Sequence, residues 1–268
     1  MKKCVILAAV LCALIFAAKI FAADAPSVSA RSAVLVTSDG EVLYEHNADE
    51  RLPMASTTKI MTCLIAIENC DLDEEITVTS ASAGIEGSSL YMKEGDVTTV
   101  KDMLYAAMLR SANDAASVLA VHVSWSEKEF AALMNEKARA LGMNDTHFTN
   151  PHGLPDADHY TSARDFARLA SYAMENEIFA GIAGTKEYVV TINGAERKPV
   201  KNHNRLLFTY DGCTGVKTGY TRSSGRCLVS TAERDGVRLI CVTLSDGNDW
   251  HDHTALLDYG FNKLSGDT

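Results

Sequence analysis

Apolar and polar residues alternate in two segments near the ends of the chain, and this period of two predicts β-strands. The first segment, SAVLVTSDGEVLYEHN, turns at Asp39-Gly40, and an Asp-Gly pair between two such runs is typical of a β-hairpin. The second segment, RCLVSTAERDGVRLICVTLS, turns in the same way at Asp235-Gly236. Two shorter β-rich runs, EYVVTI and GVKTGYT, precede it.

Between these segments, apolar residues recur at intervals of three and four, which is the spacing of an amphipathic helix. The predicted helices cover Ser56–Asn69, Thr99–Arg110, Asp114–Val123, Glu127–Leu141 and Ser162–Asn176, with a last helix near Asp252–Phe261. This order predicts an α/β fold of the α+β type, in which both ends of the chain form one antiparallel sheet and a helical region is inserted. Residues 24–268 contain no linker rich in Pro, Gly or Ser, so we expect a single domain.

The first 23 residues have the pattern of an export signal. Two lysines precede an apolar run from Cys4 to Ala18, and Ala22-Ala23 offers the small residues that a signal peptidase needs. An uncleaved membrane anchor is the alternative, but Lys19 interrupts the run before the roughly 20 residues of a membrane span. We therefore expect residues 1–23 to be a signal peptide and the protein to be extracellular, periplasmic or cell-wall associated.

The remaining chain is acidic. The whole sequence has 25 Lys and Arg against 35 Asp and Glu, and the predicted signal contains three lysines and no acid, so its removal changes the formal net charge from −10 to −13. Such a surface does not favour nucleic acid or anionic lipid as a partner. Of the seven cysteines, two lie in the signal, and the odd, widely spaced remainder is not a disulfide framework. Cys63, on an apolar helix face, is predicted to be a buried free thiol.

The predicted helix at Ser56 begins with two groups that can carry chemistry. Ser56 and Lys59 are three residues apart and therefore share a helix face. Burial lowers the pKa of a lysine, and its neutral amine can take the proton of a serine hydroxyl without a histidine. The helix N-terminus also offers unpaired N–H groups where negative charge develops. Alternatively, Ser56 is a helix cap and Lys59 a solvated charge.

Two further short motifs follow. Ser111-Ala112-Asn113 stands between two predicted helices, a junction that can direct side chains into a cleft, although Ser111 and Asn113 are equally suited to helix capping. Lys217-Thr218-Gly219 lies in a β-rich run, where a glycine lets a ligand approach the strand backbone. The alternative for Lys217 is a charge on an edge strand.

Together and in this order, the three motifs resemble the penicillin-binding protein and serine β-lactamase superfamily. More specifically, ASTTK, SAND, NPHGLPD and GVKTGYT resemble the low-molecular-weight D-alanyl-D-alanine carboxypeptidases of the peptidase S11 type. The resemblance extends from about Ala30 to Phe261. It implies a β-lactamase/transpeptidase-like fold. Many relatives carry a second β-rich domain and an anchoring helix, and we expect neither that domain nor a C-terminal membrane anchor here.

The resemblance also implies the roles of individual residues. Ser56 would be the acylated nucleophile, Lys59 its base, and Ser111 a relay for the proton that reaches the leaving amine. The residues expected to bind substrate are Asn113 on the substrate backbone, Lys217 as a fixed charge, Gly219 for close approach, Thr218 and Thr221 on the substrate carboxylate, and Tyr220, whose N–H would complete an oxyanion hole with that of Ser56.

The implied reaction is acyl transfer from a peptidoglycan stem peptide that ends in D-Ala-D-Ala, without a cofactor. β-Lactam antibiotics would acylate the same serine. Some relatives bind the substrate carboxylate with an arginine near the last helix, but NDWHDHTALLDYGF contains none, and the orientation of Arg222 is open. His251 and His253 form an H-x-H pair, which is a weak metal signal without a third ligand, so no metal is expected.

Two alternatives remain open. A serine β-lactamase of class A would need a glutamate between the second and third motifs to activate the deacylating water, and no E-x-x-x-N is found there. A non-catalytic wall sensor that binds penicillin is the other alternative. A binding module needs none of the acylation chemistry, so the carboxypeptidase is favoured by the intact set of Ser56, Lys59, Ser111, Asn113 and Lys217.

Overall fold

The computed structural model describes residues 25–266, so the predicted signal peptide at residues 1–23 lies outside the described residues. The strands are β1 (Ser32–Thr37), β2 (Val42–His46), β3 (Glu75–Thr77), β4 (Val97–Thr99), β5 (Glu187–Ile192), β6 (Glu196–Lys201), β7 (Cys213–Thr221), β8 (Gly225–Arg234) and β9 (Val237–Asp246). The helices are α1 (Lys59–Asn69), α2 (Val100–Tyr105), α3 (Asn113–Ser124), α4 (Glu127–Ala140), α5 (Ala163–Glu175), α6 (Glu177–Gly184), α7 (Leu206–Thr209) and α8 (Asp249–Ser265). A 3₁₀ helix, Ala55–Thr58, leads into α1, and a π-helical segment, Ala106–Arg110, continues α2.

The main sheet is antiparallel and has the strand order β2-β1-β9-β8-β7. Strand β1 pairs with its hairpin partner β2 on one side and with β9 on the other, with Val34 opposite Val242. The N-terminal hairpin therefore joins the C-terminal strands, which confirms the predicted sheet made from both ends of the chain. Strand β7 is the last strand on its side of this sheet and lies against the 3₁₀ helix before α1.

Alternate residues of β1 face two different cores. Val34 and Val36 belong to the large cluster between the sheet and the inserted helices, together with Ile60 of α1. Leu35 faces the other side and packs with Leu257 of α8. Side chains on a strand point alternately to the two faces of the sheet, so helices cover both faces. The predicted α+β fold with flanking helices is confirmed.

The long helices lie where the apolar periodicity predicts them, and for two helices the predicted first residue is a side-chain cap. Thr99 accepts a hydrogen bond from the N–H of Asp102 at 3.1 Å and caps α2. Ser162 accepts from the N–H of Asp165 at 3.2 Å and caps α5. Each residue was predicted as the first of a helix and is in fact its N-cap, where a hydroxyl satisfies an unpaired backbone N–H.

The sequence pattern did not predict several short elements, namely β3, β4, β6, α6 and α7. The paired strands β3 and β4 have three residues each, too few to show a period of two. Strand β6, ERKPVK, is charged and contains Pro199, although it pairs with β5 along its whole length. Asn176 appeared to end a helix, and it does, but its side chain also caps α6.

In the part of the chain that the structure describes, the cysteines are free thiols, and Cys63 is buried in the larger core as predicted. Between residues 25 and 266 no helix combines the length and the apolar character that crossing a bilayer requires.

Candidate active site

Ser56 lies in the second position of the 3₁₀ helix Ala55–Thr58. Ala55 has a φ of 49°, in the left-handed region, so the backbone turns sharply just before the serine. The buried hydroxyls of Thr57 and Thr58 donate to backbone carbonyls three residues earlier, at 2.6 and 2.7 Å, and hold this turn. The N-cap positions are Met54 for the 3₁₀ helix and Thr58 for α1, so the capping role considered for Ser56 is wrong.

Lys59 is fully buried, and three oxygen atoms surround its Nζ. The Oδ1 of Asn113 lies at 2.7 Å, the backbone carbonyl oxygen of His152 at 2.6 Å and the Oγ of Ser56 at 3.1 Å. Burial, followed by the charge of Lys217, lowers the pKa of Lys59 well below its usual value. A neutral amine donates its two hydrogens to the amide and carbonyl oxygens, which leaves its lone pair for the Ser56 proton. The solvated lysine considered as an alternative is wrong.

Lys217 and Ser111 form a second buried pair. The Nζ of Lys217 donates to the Oγ of Ser111 at 3.0 Å and to the carbonyl of Thr218 at 2.9 Å, and burial lowers the pKa of Lys217 to about 7. Ser111 follows the π-helical segment Ala106–Arg110 and has a φ of 61°. Such π-helical turns are frequent at functional sites. Because α3 begins without a side-chain cap, Ser111 is free of the capping role considered for it.

Asn113, the first residue of α3, connects Lys59 to a neighbouring loop. While its Oδ1 accepts from Lys59, its Nδ2 donates to the carbonyl of Glu86 at 2.6 Å, and its backbone N–H donates to the carbonyl of Ser88 at 2.7 Å. The side-chain amide therefore orients the amine of Lys59. The Nδ2 group carries two N–H donors, and the hydrogen bond to Glu86 uses one of them.

Asp114 fixes this loop against α3, and the sequence analysis did not single it out. Its carboxylate is fully buried and accepts from the hydroxyl of Ser89 at 2.6 Å and from the backbone N–H groups of Leu90 and Met92 at 3.1 and 3.0 Å. The one available signal was an acid in the first turn of a helix, where the helix dipole favours negative charge.

Strand β7 forms one wall of the cleft beside Ser56, and glycine allows it to come so close. A Cβ added to Gly219 would lie 3.0 Å from the backbone nitrogen of Ser56 and 3.1 Å from the carbonyl oxygen of Met54. The cleft has a volume of ≈ 330 Å³. Its lining residues are Ser56, Ser88, Ser111, His203, Thr218, Gly219, Tyr220, Arg226, Asp249 and Trp250.

Thr221, the last residue of β7, lies outside this cleft. Its hydroxyl is within 2.8 Å of the hydroxyl of Ser224 and 3.1 Å of that of Ser223, in the turn to β8. It lines a separate cavity with Pro53 and Leu154. The structure therefore brings Thr218, Gly219 and Tyr220 to the Ser56 cleft and leaves Thr221 in the turn.

Arg226 is one of the cleft residues that sequence reasoning missed. The segment NDWHDHTALLDYGF at the last helix contains no arginine, whereas Arg226 comes from β8, where the β7–β8 pairing places it opposite Tyr220. Its side chain is exposed and forms no ion pair within 4.0 Å among residues 25–266, while its charge partly offsets the rise that burial causes in the pKa of Asp249, another residue of the cleft. The register of the β7–β8 hairpin was the available signal for Arg226, because this register pairs Tyr220 with the residue six positions further along the chain.

The loop from Thr149 to Leu154 overlaps the NPHGLPD motif, which begins at Asn150, and supplies the carbonyl that binds Lys59. The Oδ1 of Asn150 accepts from the N–H groups of His152 and Gly153 at 3.3 and 2.7 Å, which folds the loop. Gly153 has a φ of 87°, and a Cβ there would lie 2.0 Å from the carbonyl oxygen of Ala55. The loop therefore packs directly on the Ser56 turn.

The two histidines of DWHDH have different surroundings. His253 is fully buried, with its ring nitrogens 2.6 Å from the hydroxyl of Ser230 and 3.0 Å from that of Thr243, and burial lowers its pKa to about 3. His251 is 70% exposed and contacts Asp252. Both nitrogens of His253 are thus engaged within the fold.

Comparison with known proteins gives consistent matches. The family model for peptidase S11, described as D-alanyl-D-alanine carboxypeptidase, matches residues 19–248. The D-alanyl-D-alanine carboxypeptidase DacF of Bacillus subtilis is 37% identical over 243 residues, which are 87% of this chain and 62% of DacF. DacC of Escherichia coli is 36% identical over 92% of this chain and 66% of its own length. The chain thus spans less than two thirds of these two relatives.

Solved structures have the same fold. The Streptomyces K15 DD-transpeptidase superposes with a TM-score of 0.83 at 32% identity and covers 88% of this chain and 98% of its own. Penicillin-binding protein D2 of Listeria monocytogenes, in its ampicillin-bound form, superposes with a TM-score of 0.79 at 29% identity, over 88% of this chain and all of its own.

Proposed function

The chain belongs to the peptidase S11 family, whose description is D-alanyl-D-alanine carboxypeptidase. We therefore propose that it is a serine enzyme that removes the terminal D-Ala from peptidoglycan stem peptides. The observation that carries the proposal is the environment of Lys59, whose fully buried Nζ lies 3.1 Å from the Oγ of Ser56. A buried amine with a lowered pKa is a base, and a hydroxyl beside it is an activated nucleophile.

In the proposed reaction, Lys59 accepts the Ser56 proton while Oγ bonds to the carbonyl carbon of the penultimate D-Ala. The carbonyl π electrons move to the oxygen, where the N–H groups of Ser56 and Tyr220 stabilise the negative charge. The C–N bond then breaks, and a proton reaches the departing D-Ala nitrogen through the hydroxyl of Ser111, which Lys217 orients at 3.0 Å. Water hydrolyses the resulting ester and regenerates Ser56.

We assign the terminal carboxylate of the substrate to Thr218 and Arg226, with Lys217 as the buried charge beneath them. Thr218 and Arg226 both line the Ser56 cleft, and the guanidinium of Arg226 is an exposed cation without an ion-pair partner among the described residues. Arginine suits a carboxylate because its planar fork can donate two parallel hydrogen bonds. Thr221 can make a second contact with the substrate carboxylate only if the turn between β7 and β8 opens.

Replacement of Arg226 by glutamine is expected to raise KM for a peptide ending in D-Ala-D-Ala by about 10- to 100-fold, since a charge-assisted hydrogen bond contributes about 1.5–3 kcal/mol. A matched peptide ending in D-Ala-D-alaninamide lacks the carboxylate, so its kcat/KM should change little. Rates of D-Ala and D-alaninamide release measure both. Arg222→Gln, the same change in the exposed turn nearby, is the control. An equal loss of kcat/KM on both peptides would show that Arg226 does not bind the substrate carboxylate.

We also propose that residues 1–23 direct export and that residues 24–268 act outside the cytoplasmic membrane as one catalytic domain. The apolar run behind two lysines supports export. Peptidoglycan lies on that side of the membrane, so the proposed substrate supports the same location.

Benzylpenicillin is expected to leave a persistent adduct of one molecule per chain on the Ser56 peptide, together with D-Ala release from a pentapeptide substrate. The opened ring keeps its leaving nitrogen tethered, and no E-x-x-x-N glutamate activates water, so deacylation should be slow. Intact-mass analysis and peptide mapping detect the adduct. Rapid penicillin turnover without an adduct would favour the β-lactamase, and an adduct without D-Ala release from several stem peptides would favour the sensor.

A further inference from the structure

A second group of reactive side chains lies at the opposite end of the two catalytic helices. Cys70 follows the last residue of α1, His122 lies in the last turn of α3, and Glu74 directly precedes β3. A ligand atom of each, the thiol sulfur, a ring nitrogen and a carboxylate oxygen, lies within 4.8 Å of the other two. The Nε2 of His122 is 3.1 Å from Oε1 of Glu74. All three residues line one cavity of ≈ 540 Å³.

We propose that Cys70, Glu74 and His122 form a site for a divalent metal ion, with Zn²⁺ as the preferred ion. Thiolate, imidazole and carboxylate are the protein ligands of Zn²⁺, at about 2.3, 2.0 and 2.1 Å from the ion. Tetrahedral ligands at these distances are about 3.3–3.7 Å apart. Small side-chain rotations bring the three atoms to these separations, and the cavity leaves room for water as the fourth ligand.

The backbone around the site is already fixed. The N–H of Cys70 donates to the carbonyl of Ala66 at 3.0 Å, and the N–H of Glu74 donates to that of Asp71 at 3.2 Å. The carbonyl of Glu74 accepts from the N–H of Val100 at 3.0 Å. Only side chains have to move when an ion binds, so little conformational entropy opposes binding.

The contact between His122 and Glu74 does not by itself explain the cluster. Its side chains are 21% and 46% exposed, and such a surface pair contributes little to stability. It gives no role to the half-buried thiol of Cys70, whereas a soft sulfur beside a nitrogen and an oxygen ligand is what selects zinc over calcium or magnesium. The acids at residues 71, 73 and 75 add negative potential that attracts a cation.

The proposed metal ion would have a structural role, because the site lies at the far ends of α1 and α3 from the catalytic residues. Helix α1 carries Lys59 at its start and ends next to Cys70, while α3 starts with Asn113 and carries His122 near its end. His122 is nine positions after Asn113 in this helix, which corresponds to about 14 Å at 1.5 Å per residue. A bound ion therefore holds together the far ends of the two helices whose first residues orient the catalytic amine, without contacting substrate.

Titration of the folded protein with Co²⁺, followed by Zn²⁺, tests the proposal independently of the proposed activity. We expect a thiolate-to-cobalt charge-transfer band that saturates at one equivalent and disappears when Zn²⁺ displaces Co²⁺. Cys70→Ser should abolish the band, and His122→Gln and Glu74→Gln should each weaken binding by at least about 10-fold. Cys213→Ser, at another partly buried free thiol outside the cluster, should leave the band unchanged.

Zn²⁺ at 100 times its Kd should raise the thermal unfolding midpoint of the wild type by about 5 °C or more, and leave that of Cys70→Ser unchanged. EDTA should leave Ser56 acylation intact. The absence of a cobalt band in wild-type protein, or a band that persists in Cys70→Ser or is insensitive to both other variants, would overturn the site. None of these outcomes bears on the peptidase proposal.

Discussion

Replacement of Lys59 by alanine is expected to lower the second-order rate of Ser56 acylation by benzylpenicillin by about 10³-fold or more, since a positioned general base contributes about 10²–10⁴-fold. The amine is the only described nitrogen base bonded to the Ser56 hydroxyl, at 3.1 Å. Lys59→Arg should fail as well, because a guanidinium stays protonated in proteins and cannot take the serine proton. Stopped-flow or intact-mass kinetics measure the rate.

The control for packing is Lys59→Met, which keeps most of the buried volume without the amine. It should fold, by circular dichroism, and acylate as poorly as the alanine variant. In wild-type protein the rate should fall as the pH falls through the lowered pKa of Lys59, because the protonated amine accepts no proton. Since Lys59 and Lys217 interact, the apparent pKa values belong to the pair. Acylation of the methionine variant at the wild-type rate would show that Lys59 is not the base.

Replacement of Gly153 by alanine is expected to lower the free energy of unfolding by about 2–4 kcal/mol and acylation by about 10²-fold. The new Cβ would lie 2.0 Å from the carbonyl oxygen of Ala55 and 2.9 Å from the backbone nitrogen of Ser56. These are backbone atoms, so relief of the clash must move either the Ser56 turn or the loop whose His152 carbonyl binds Lys59.

Gly95→Ala is the matched control for this substitution. Gly95 has a φ of 88° against 87° for Gly153, but a Cβ added there meets no atom within 4 Å. It should show only the cost of a left-handed alanine, about 1 kcal/mol, with acylation unchanged. Urea unfolding and penicillin acylation measure both variants. Equal effects of the two substitutions would mean that the contact between Gly153 and Ala55 does not position Ser56.

The periodicity of the chain predicted the long elements well because each depends on neighbouring residues. The β8–β9 hairpin turns at Asp235-Gly236, where both residues have positive φ, and an Asp-Gly pair tolerates this conformation. The errors fall where the local signal is short or mixed. Strand β6 forms because its backbone pairs with that of β5. Its charged residues and Pro199 do not predict this pairing.

In the candidate site, likewise, the local contact could be predicted from the sequence and the contacts between distant segments could not. The spacing of Ser56 and Lys59 follows from the helix period, so their contact was predictable from four consecutive residues. The partners that bury the amine were not. Asn113 and His152 lie 54 and 93 positions further along the chain, and only the packing of α3 and the Thr149–Leu154 loop against α1 brings their oxygens to the Lys59 nitrogen.

By itself, the sequence determined the order of the long strands and helices, the pattern of an export signal, and the reactive pairs that lie within one helical turn or one strand. These features rest on local geometry, which the identity of adjacent residues fixes. Only the tertiary structure decided that Lys59 is desolvated, that Arg226 enters the cleft while Thr221 does not, and that Cys70, Glu74 and His122 converge. Burial and convergence depend on contacts between distant segments, and those contacts exist only once the core has formed.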